Sequence, residues 1–105
     1  MAHNETYDLL LSSDSSAPEI LYKLAEAHLI MNDHQQAQTL LLSVLEEQPD
    51  NIEARYLLAQ SYYDSSQINY SLREIDLLLR LDHNNAQAKI LKNTITFSQV
   101  QEVNP

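Results

Sequence analysis

The sequence predicts an all-α fold in which antiparallel helical hairpins stack on one another, and three observations lead to that prediction. Residues 18–51 can be laid over residues 52–85, so that Ala25 falls on Ala59. A repeat of about 34 residues that holds two apolar-periodic runs is typical of stacked helical hairpins. Glycine is absent, which disfavours strand hairpins and phosphate-binding loops, because both need tight turns with positive φ.

The first copy contains two amphipathic helices joined by a short turn. Its first helix begins at Ser16, which forms a capping box with Glu19 and has Pro18 in its first turn. The apolar stripe of this helix has the i, i+3, i+4, i+7 spacing of a helix with one buried face. Asn32 and Asp33 form the turn, because asparagine tolerates a left-handed backbone and aspartate caps free N–H groups. Pro49 ends the second helix. The two stripes are Leu21, Leu24, Ala25, His28, Leu29 and Ala37, Leu40, Leu41, Val44, Leu45.

The second copy repeats this pattern with different turn residues. Asn51 caps its first helix, the turn lies at Ser65 and Ser66, and its second helix ends near Asp82 and His83. Apolar and aromatic side chains again recur at helical spacing. They are Tyr56, Leu58, Ala59, Tyr62, Tyr63 in the first helix and Ile68, Leu72, Ile75, Leu78, Leu79, Leu81 in the second.

The segments that flank the two copies complete the predicted domain, which spans residues 17–97. Residues 86–97 are predicted to form a terminal capping helix, because a stack of repeats needs a helix to cover its last apolar face. Residues 98–105 are polar and are expected to be a flexible tail. Residues 1–16 are expected to be an N-terminal arm or short helix, which either covers the first repeat or stays mobile.

The composition excludes several classes of function. The chain has 105 residues, a formal net charge of −9 and no cysteine, so we expect one domain without disulfides or thiolate metal ligands. No apolar run approaches the ~20 residues that cross a bilayer, and the N-terminus lacks a signal-peptide pattern, so we expect no membrane insertion and a cytoplasmic location. An acidic surface repels nucleic acid and attracts a basic protein segment, although excess carboxylates can also serve solubility alone.

On these residues the sequence resembles the tetratricopeptide repeat (TPR) family. The resemblance implies a short right-handed solenoid of antiparallel hairpins, in which the small residue of one helix faces the small residue of the next, Ala25 facing Ala37 and Ala59 facing Ser71. Small residues at these positions let paired helices approach closely. The matching positions are Leu21, Leu24, Ala25, His28, Ala37, Leu41, Val44, Pro49 and Arg55, Leu58, Ala59, Tyr62, Ser71, Ile75, Leu78, His83.

The sequence departs from the TPR pattern at several positions. Asn32 and Ser66 replace the turn glycine, Arg55 stands where a large apolar residue is usual, and His83 replaces the second proline. Two repeats are also fewer than the three or so that an independent stack usually needs. The flanking helices or a partner are therefore expected to cover the ends.

The resemblance also implies where a partner binds. In TPR proteins the first helix of each repeat lines a concave groove, and the matching positions here combine tyrosine rings with carboxylates. Tyrosine is enriched in binding hot spots, although some of these rings can instead pack between repeats. The predicted groove residues are Glu19, Tyr22, Glu26, Leu29, Ile30, Glu53, Tyr56, Gln60, Tyr63, Asp64 and Ile90, with Gln87 and Thr94 extending the row.

One groove chemistry of the TPR family is disfavoured by the residues present. The members that bind chaperone tails hold a terminal carboxylate with a basic clamp of lysine, asparagine and arginine. Here Tyr22, Glu26, Leu57 and Gln60 stand at those positions. The local charge has the wrong sign for an acidic tail.

Catalysis, a cofactor and a metal site are not predicted. His28 and His34 are six residues apart, whereas two ligands on one helix are usually four apart. No serine stands with histidine and aspartate at motif spacing, and there is no glycine-rich oxyanion loop.

Three hypotheses for function remain open at this point. The first is a non-catalytic adaptor that binds a peptide or amphipathic helix, apolar with basic residues, in its groove. The second is a small chaperone of a bacterial secretion or assembly system that sequesters a subunit. The third is a structural module that self-associates through uncovered repeat ends.

Overall fold

The computed structural model describes residues 17–103, which form five α-helices and no strand. The helices are α1 (Pro18–Ile30), α2 (His34–Glu47), α3 (Ile52–Asp64), α4 (Ile68–Leu81) and α5 (Ala86–Val103). Helices α1 and α2 form the first hairpin, α3 and α4 form the second, and α5 packs on α4 and α3. The predicted all-α stack of helical hairpins is confirmed. Within the described helices, no segment is both long and apolar enough to cross a membrane.

Three asparagine or aspartate side chains fix the starts of α2, α3 and α5. Asp33 Oδ1 accepts a hydrogen bond from the Gln36 N–H, and Asn51 Oδ1 accepts one from the Ala54 N–H at 2.9 Å. Asn85 Oδ1 caps α5 in the same way, through the Ala88 N–H at 2.9 Å. Each cap satisfies a donor that the helix itself leaves free.

The turns inside both hairpins use a left-handed residue that is not glycine. Asn32 has φ 62° and Ser66 has φ 67°, at the two positions where the TPR resemblance implies glycine. Asparagine tolerates this backbone better than serine does, because its short amide bonds locally. Each hairpin is therefore closed by one residue in the left-handed conformation. That conformation is unfavourable for residues other than glycine, but it allows the chain to reverse within a short turn.

Small side chains lie where the two helices of each hairpin cross. Ala25 and Ala37 are completely buried in one core cluster. In the second hairpin, the Ser71 hydroxyl donates to the Ala59 carbonyl oxygen at 2.8 Å, so the α3 and α4 backbones come within reach of one short side chain. The predicted close approach at Ala59 and Ser71 is confirmed by this bond. A bulky residue at either crossing would separate the helices.

Helix α3 is shared by two core clusters. One of its faces packs with the first hairpin through Ala54, Leu58 and Tyr62. Its opposite face packs with α4 and α5, with Ala59 at the centre of the second cluster. Because α3 is buried on two faces, it joins the hairpins into one continuous core.

Helix α5 packs on the second hairpin as α3 packs on the first. Ala88 lies one repeat period after Ala54, and both are completely buried beside equivalent residues of the preceding hairpin. The opposite face of α5 is polar, since Asn93 stands one period after Ala59. This face is exposed, so α5 covers the last apolar surface of the described stack.

The C-terminal boundary of the predicted domain is wrong. Residues 98–103 were expected to belong to a flexible tail, but α5 continues past Phe97 to Val103. The physical reason is that no helix breaker occurs between Phe97 and Pro105, and a polar sequence can extend a helix that is already nucleated. The N-terminal arm, residues 1–16, lies outside the described residues, as do residues 104 and 105.

A largely buried ion pair replaces an apolar contact inside the second hairpin. Arg55 Nη1 donates to Glu74 Oε1 at 2.8 Å, and the two side chains are only 14% and 12% exposed. The same guanidinium donates through Nε and Nη2 to the Pro49 carbonyl oxygen, at 3.2 and 2.9 Å. Arg55 therefore connects α3, α4 and the end of the first hairpin.

Removing one member of this pair should destabilise the domain more than removing both. Arg55→Ala should lower the free energy of unfolding by about 2–4 kcal/mol, because it leaves the Glu74 carboxylate buried without a partner. The double variant Arg55→Met/Glu74→Leu should recover most of that loss, since apolar side chains of similar size suit the site. Urea unfolding followed by circular dichroism measures both. Equal losses in the single and double variants would contradict this description.

A candidate protein-binding groove

One row of corresponding residues lies on each of three helices: α1 and α3, which begin the two hairpins, and α5, which follows them. We call the surface that these rows form the inner groove. Residues one repeat period apart lie at corresponding places on these helices, because Ala54 of α3 and Ala88 of α5 are both buried against the preceding hairpin. The rows of the inner groove are Glu19, Tyr22, Glu26, Leu29, Ile30 on α1, Glu53, Tyr56, Gln60, Tyr63, Asp64 on α3, and Gln87, Ile90, Thr94, Phe97, Ser98 on α5.

The eleven predicted groove residues are all at least partly accessible, but to different degrees. Glu19, Glu53 and Asp64 are exposed carboxylates, and Ile30 and Ile90 are exposed apolar side chains at 86% and 64%. The remaining six are half-buried: Tyr22, Glu26, Leu29, Tyr56, Gln60 and Tyr63.

The structure brings three of these residues, Glu19, Tyr22 and Glu53, around one depression. It has a volume of about 500 Å³ and lies between the start of α1 and the start of α3. Its lining also includes residues that were not predicted: Ala17, which precedes α1, Pro18 and Lys23 from α1, and Gln48 and Asn51 from the turn before α3. We call this depression the acidic mouth.

The electrostatics of the acidic mouth centre on Tyr22. Burial raises the pKa of the Tyr22 hydroxyl above its ordinary value, and the carboxylates of Glu26 and Glu53 raise it further. Glu53 belongs to α3, so this effect reports that the rows of α1 and α3 lie side by side. Lys23 Nζ approaches Glu26 at 3.4 Å, an exposed pair that holds little energy.

A chain of hydrogen bonds runs along the groove face of α3. The Tyr56 hydroxyl donates to Gln60 Oε1 at 3.0 Å, and Gln60 Nε2 donates to Asp64 Oδ1 at 3.0 Å. These residues are four apart, so they stand on one side of the helix. The bonds hold the ring, the amide and the carboxylate in one orientation.

The tyrosines divide between groove and core. Tyr56 and Tyr63 pack against the second core cluster while keeping part of each ring accessible. Tyr62 is buried in the first cluster, and its ring lies 5.3 Å from that of Tyr70. Burial, then Glu74 and Tyr70, raise the pKa of the Tyr62 hydroxyl. Tyr62 therefore packs between repeats, the alternative that the sequence left open.

Phe97 corresponds by repeat period to the predicted groove positions, but sequence reasoning did not include it. It lies one repeat period after Tyr63, in the place that Leu29 holds on α1, and it is 65% exposed. Extending the alignment of the two repeats by one more helix turn would have found it. Together with Ile90, Phe97 gives the uncharged α5 row two exposed apolar side chains.

A polar network at the junction of the two hairpins was also missed. The His34 ring nitrogen Nδ1 lies 2.9 Å from Ser61 Oγ, and Gln38 Nε2 donates to Ser61 Oγ and to Ser65 Oγ, both at 3.1 Å. Gln67 Nε2 donates to Ser65 Oγ at 2.9 Å. This junction network ties α2, α3 and the start of α4 together, and so fixes the hairpins that carry the groove.

The two histidines considered as metal ligands make other contacts. His28 Nδ1 lies 3.1 Å from Asp33 Oδ2, and His34 Nε2 lies 2.9 Å from Asn32 Oδ1. Over residues 17–103, no group of three or more histidine, aspartate or glutamate side chains is close enough together to hold a metal ion.

A family model described as anaphase-promoting complex, cyclosome, subunit 3 matches residues 5–76. This family is of the TPR type, and the match includes both helices of the first hairpin, α3 and most of α4. A comparison with curated proteins gives no significant match.

The neighbouring position of Tyr22 and Glu53 can be tested by titration. Glu53→Gln should lower the pKa of the Tyr22 hydroxyl toward its ordinary value, because a negative charge across the mouth disappears. Glu46→Gln makes the same change at an exposed site on α2 and serves as the control. NMR of labelled tyrosine against pH measures both. An identical Tyr22 titration in the two variants would show that α1 and α3 are not side by side.

Proposed function

Because the chain belongs to the family of anaphase-promoting complex, cyclosome, subunit 3, a TPR-type repeat family, we propose that it binds another protein in the inner groove. Repeat families of this type mediate protein–protein contacts and are typically non-catalytic. The proposed ligand is a peptide or amphipathic helix that carries apolar and basic side chains. The observation that carries the proposal is the combination of accessible rings and exposed carboxylates on adjacent helices.

The charge of the groove selects the basic component of the partner. Its rows contain four carboxylates, Glu19, Glu26, Glu53 and Asp64, and no lysine or arginine. Lys23 borders the acidic mouth but is paired with Glu26. Exposed carboxylates steer a cationic segment toward the groove and favour it over an acidic one.

The accessible tyrosine rings of the groove favour apolar side chains in the partner. Tyr22, Tyr56 and Tyr63 each present a rigid ring that is already held in place by the core. Side chains that lose little freedom on binding make effective anchors. An amphipathic helix that offers leucine or isoleucine to these rings and lysine or arginine to the carboxylates fits this arrangement.

Self-association is the second candidate, and a specific observation favours it over the chaperone hypothesis. Ile90, Phe97 and Val100 are exposed on the last helix of the described stack. Adjacent apolar side chains of this size often mark a protein interface. Sedimentation over a wide range of concentration distinguishes a self-associating chain from a monomer that binds a foreign segment.

The proposal is tested by partner capture with matched variants. The double variant Tyr22→Ala/Glu53→Lys should lose the captured protein and bind it about 30-fold more weakly in calorimetry, the loss typical of a hot spot. Tyr70→Ala is the control, since it removes an exposed ring from α4, outside the groove.

The outcome depends on comparing the two variants at equal fold content, verified by circular dichroism. A partner that is retained by the groove variant and lost by Tyr70→Ala would move the binding surface to the outer helices. A partner that both variants retain would show that the inner groove is not the binding surface.

A further inference from the structure

The inner groove is chemically different at its two ends, and the difference follows the order of the repeats. The first copy, residues 18–51, contains six acidic and one basic side chain, whereas the second, residues 52–85, contains five acidic and three basic ones. Residues 86–103 contain one acidic and two basic side chains. Net charge therefore rises from −5 in the first repeat to −2 in the second and to +1 in residues 86–103.

The same change occurs within the corresponding rows of the groove. Glu19 and Glu53 are followed on α5 by Gln87, one repeat period later. At the next position along the helices, Glu26 is followed by Gln60 and then by Thr94. The α5 row carries no charge at all, so the acidic character of the groove ends between α3 and α5.

Apolar exposure increases where the charge ends. The ring positions of α1 and α3, Tyr22 and Tyr56, are half-buried, whereas Ile90 at the same place on α5 is 64% exposed. Phe97 and Val100 extend this apolar surface along α5. Ile30 is exposed on α1 as well, but it lies in the last turn of that helix, beyond the acidic mouth at its start.

We propose that the inner groove holds its partner in one polarity, with the basic residues of the bound segment over α1 and α3 and its uncharged apolar residues over α5. This inference rests on the proposed function. Charge complementarity carries it: a cationic residue over α5 would find no carboxylate in that row. An apolar residue over the acidic mouth would leave carboxylates without a partner.

The two ends of the groove are expected to respond independently to charge changes, which makes the polarity measurable. Packed helices lie about 8–10 Å apart, so α1 and α5 are separated by about 20 Å. The Debye length in 0.1 M salt is about 10 Å. A charge change at the acidic mouth therefore has little direct effect on a side chain bound at α5.

The test uses two synthetic peptides of about 14 residues, long enough as a helix to span the three rows. One has lysine and leucine in its N-terminal half and only leucine, phenylalanine and serine in its C-terminal half; the other has the reverse sequence. A nitroxide is attached to either end, and its broadening of amide signals is measured by NMR. For both peptides, the label at the lysine end should broaden signals of α1, and the label at the other end should broaden signals of α5.

Matched variants separate the two ends further. Glu19→Gln/Glu53→Gln should weaken binding of the unlabelled peptides roughly 5- to 25-fold, because each exposed ion pair contributes up to about fivefold in affinity. The same double variant should also reduce the salt dependence of binding. Glu46→Gln/Glu47→Gln on α2 makes the same change in net charge and should leave affinity unchanged. Phe97→Ser should weaken binding about fivefold without altering the salt dependence.

Two results would overturn the inference. Equal broadening of α1 and α5 by both labels, or a lysine end that lies over α5, would show binding without this polarity, while the proposed function would stand. Failure of both peptides to bind at about 1 mM would overturn the polarity, whereas the proposed function is decided separately by partner capture with the groove variants.

Discussion

The close approach of two helices at small side chains is the constraint on which the rest of this structure depends. Ala25 and Ala37 are completely buried in the first hairpin, and Ser71 Oγ reaches the Ala59 carbonyl oxygen in the second. Helices held this close bring their larger neighbours into contact, so that the apolar stripes of each hairpin pack in one cluster. Repetition of this contact at about 34 residues places α1, α3 and α5 in corresponding positions, and the inner groove is the surface that results.

The junction between α2 and α3 and the junction between α4 and α5 use different side-chain chemistry at equivalent positions. At the first junction Gln38 and Ser61 belong to the hydrogen-bonded network with His34, and both are buried. One repeat period later stand Leu72 and Ile95, which pack in the second apolar cluster. A shifted pairing would place the Gln38 amide against apolar side chains without a hydrogen-bond partner, at a cost of several kcal/mol. The network therefore favours the order of hairpins that is observed, as well as stabilising it.

Features that depend on neighbours in the sequence could be predicted, and features that depend on the geometry of stacking could not. The Asp33 and Asn51 caps, the turns at Asn32 and Ser66, and the small residues at the hairpin crossings all follow from local pattern and period. The contacts of His34 with Ser61 and of Arg55 with Glu74 join different helices, and no residue type in isolation indicates such a partner. Phe97 could have been assigned to the groove from the repeat period, because it lies one period after Tyr63, but it was not. The end of α5 was misplaced because polar residues are compatible with both a helix and a tail.

The most direct measurement compares two alanine-to-leucine substitutions on α1. Ala25 is completely buried in the core cluster that also holds Ala37, whereas Ala27 is exposed two residues later on the same helix. Leucine and alanine have similar helix propensities, so a difference between the variants reports packing alone. Urea unfolding should show that Ala25→Leu lowers stability by about 1–3 kcal/mol while Ala27→Leu stays within about 0.5 kcal/mol of the wild type. Equal stability of the two variants would contradict the claim that close helix approach at small side chains organises the fold.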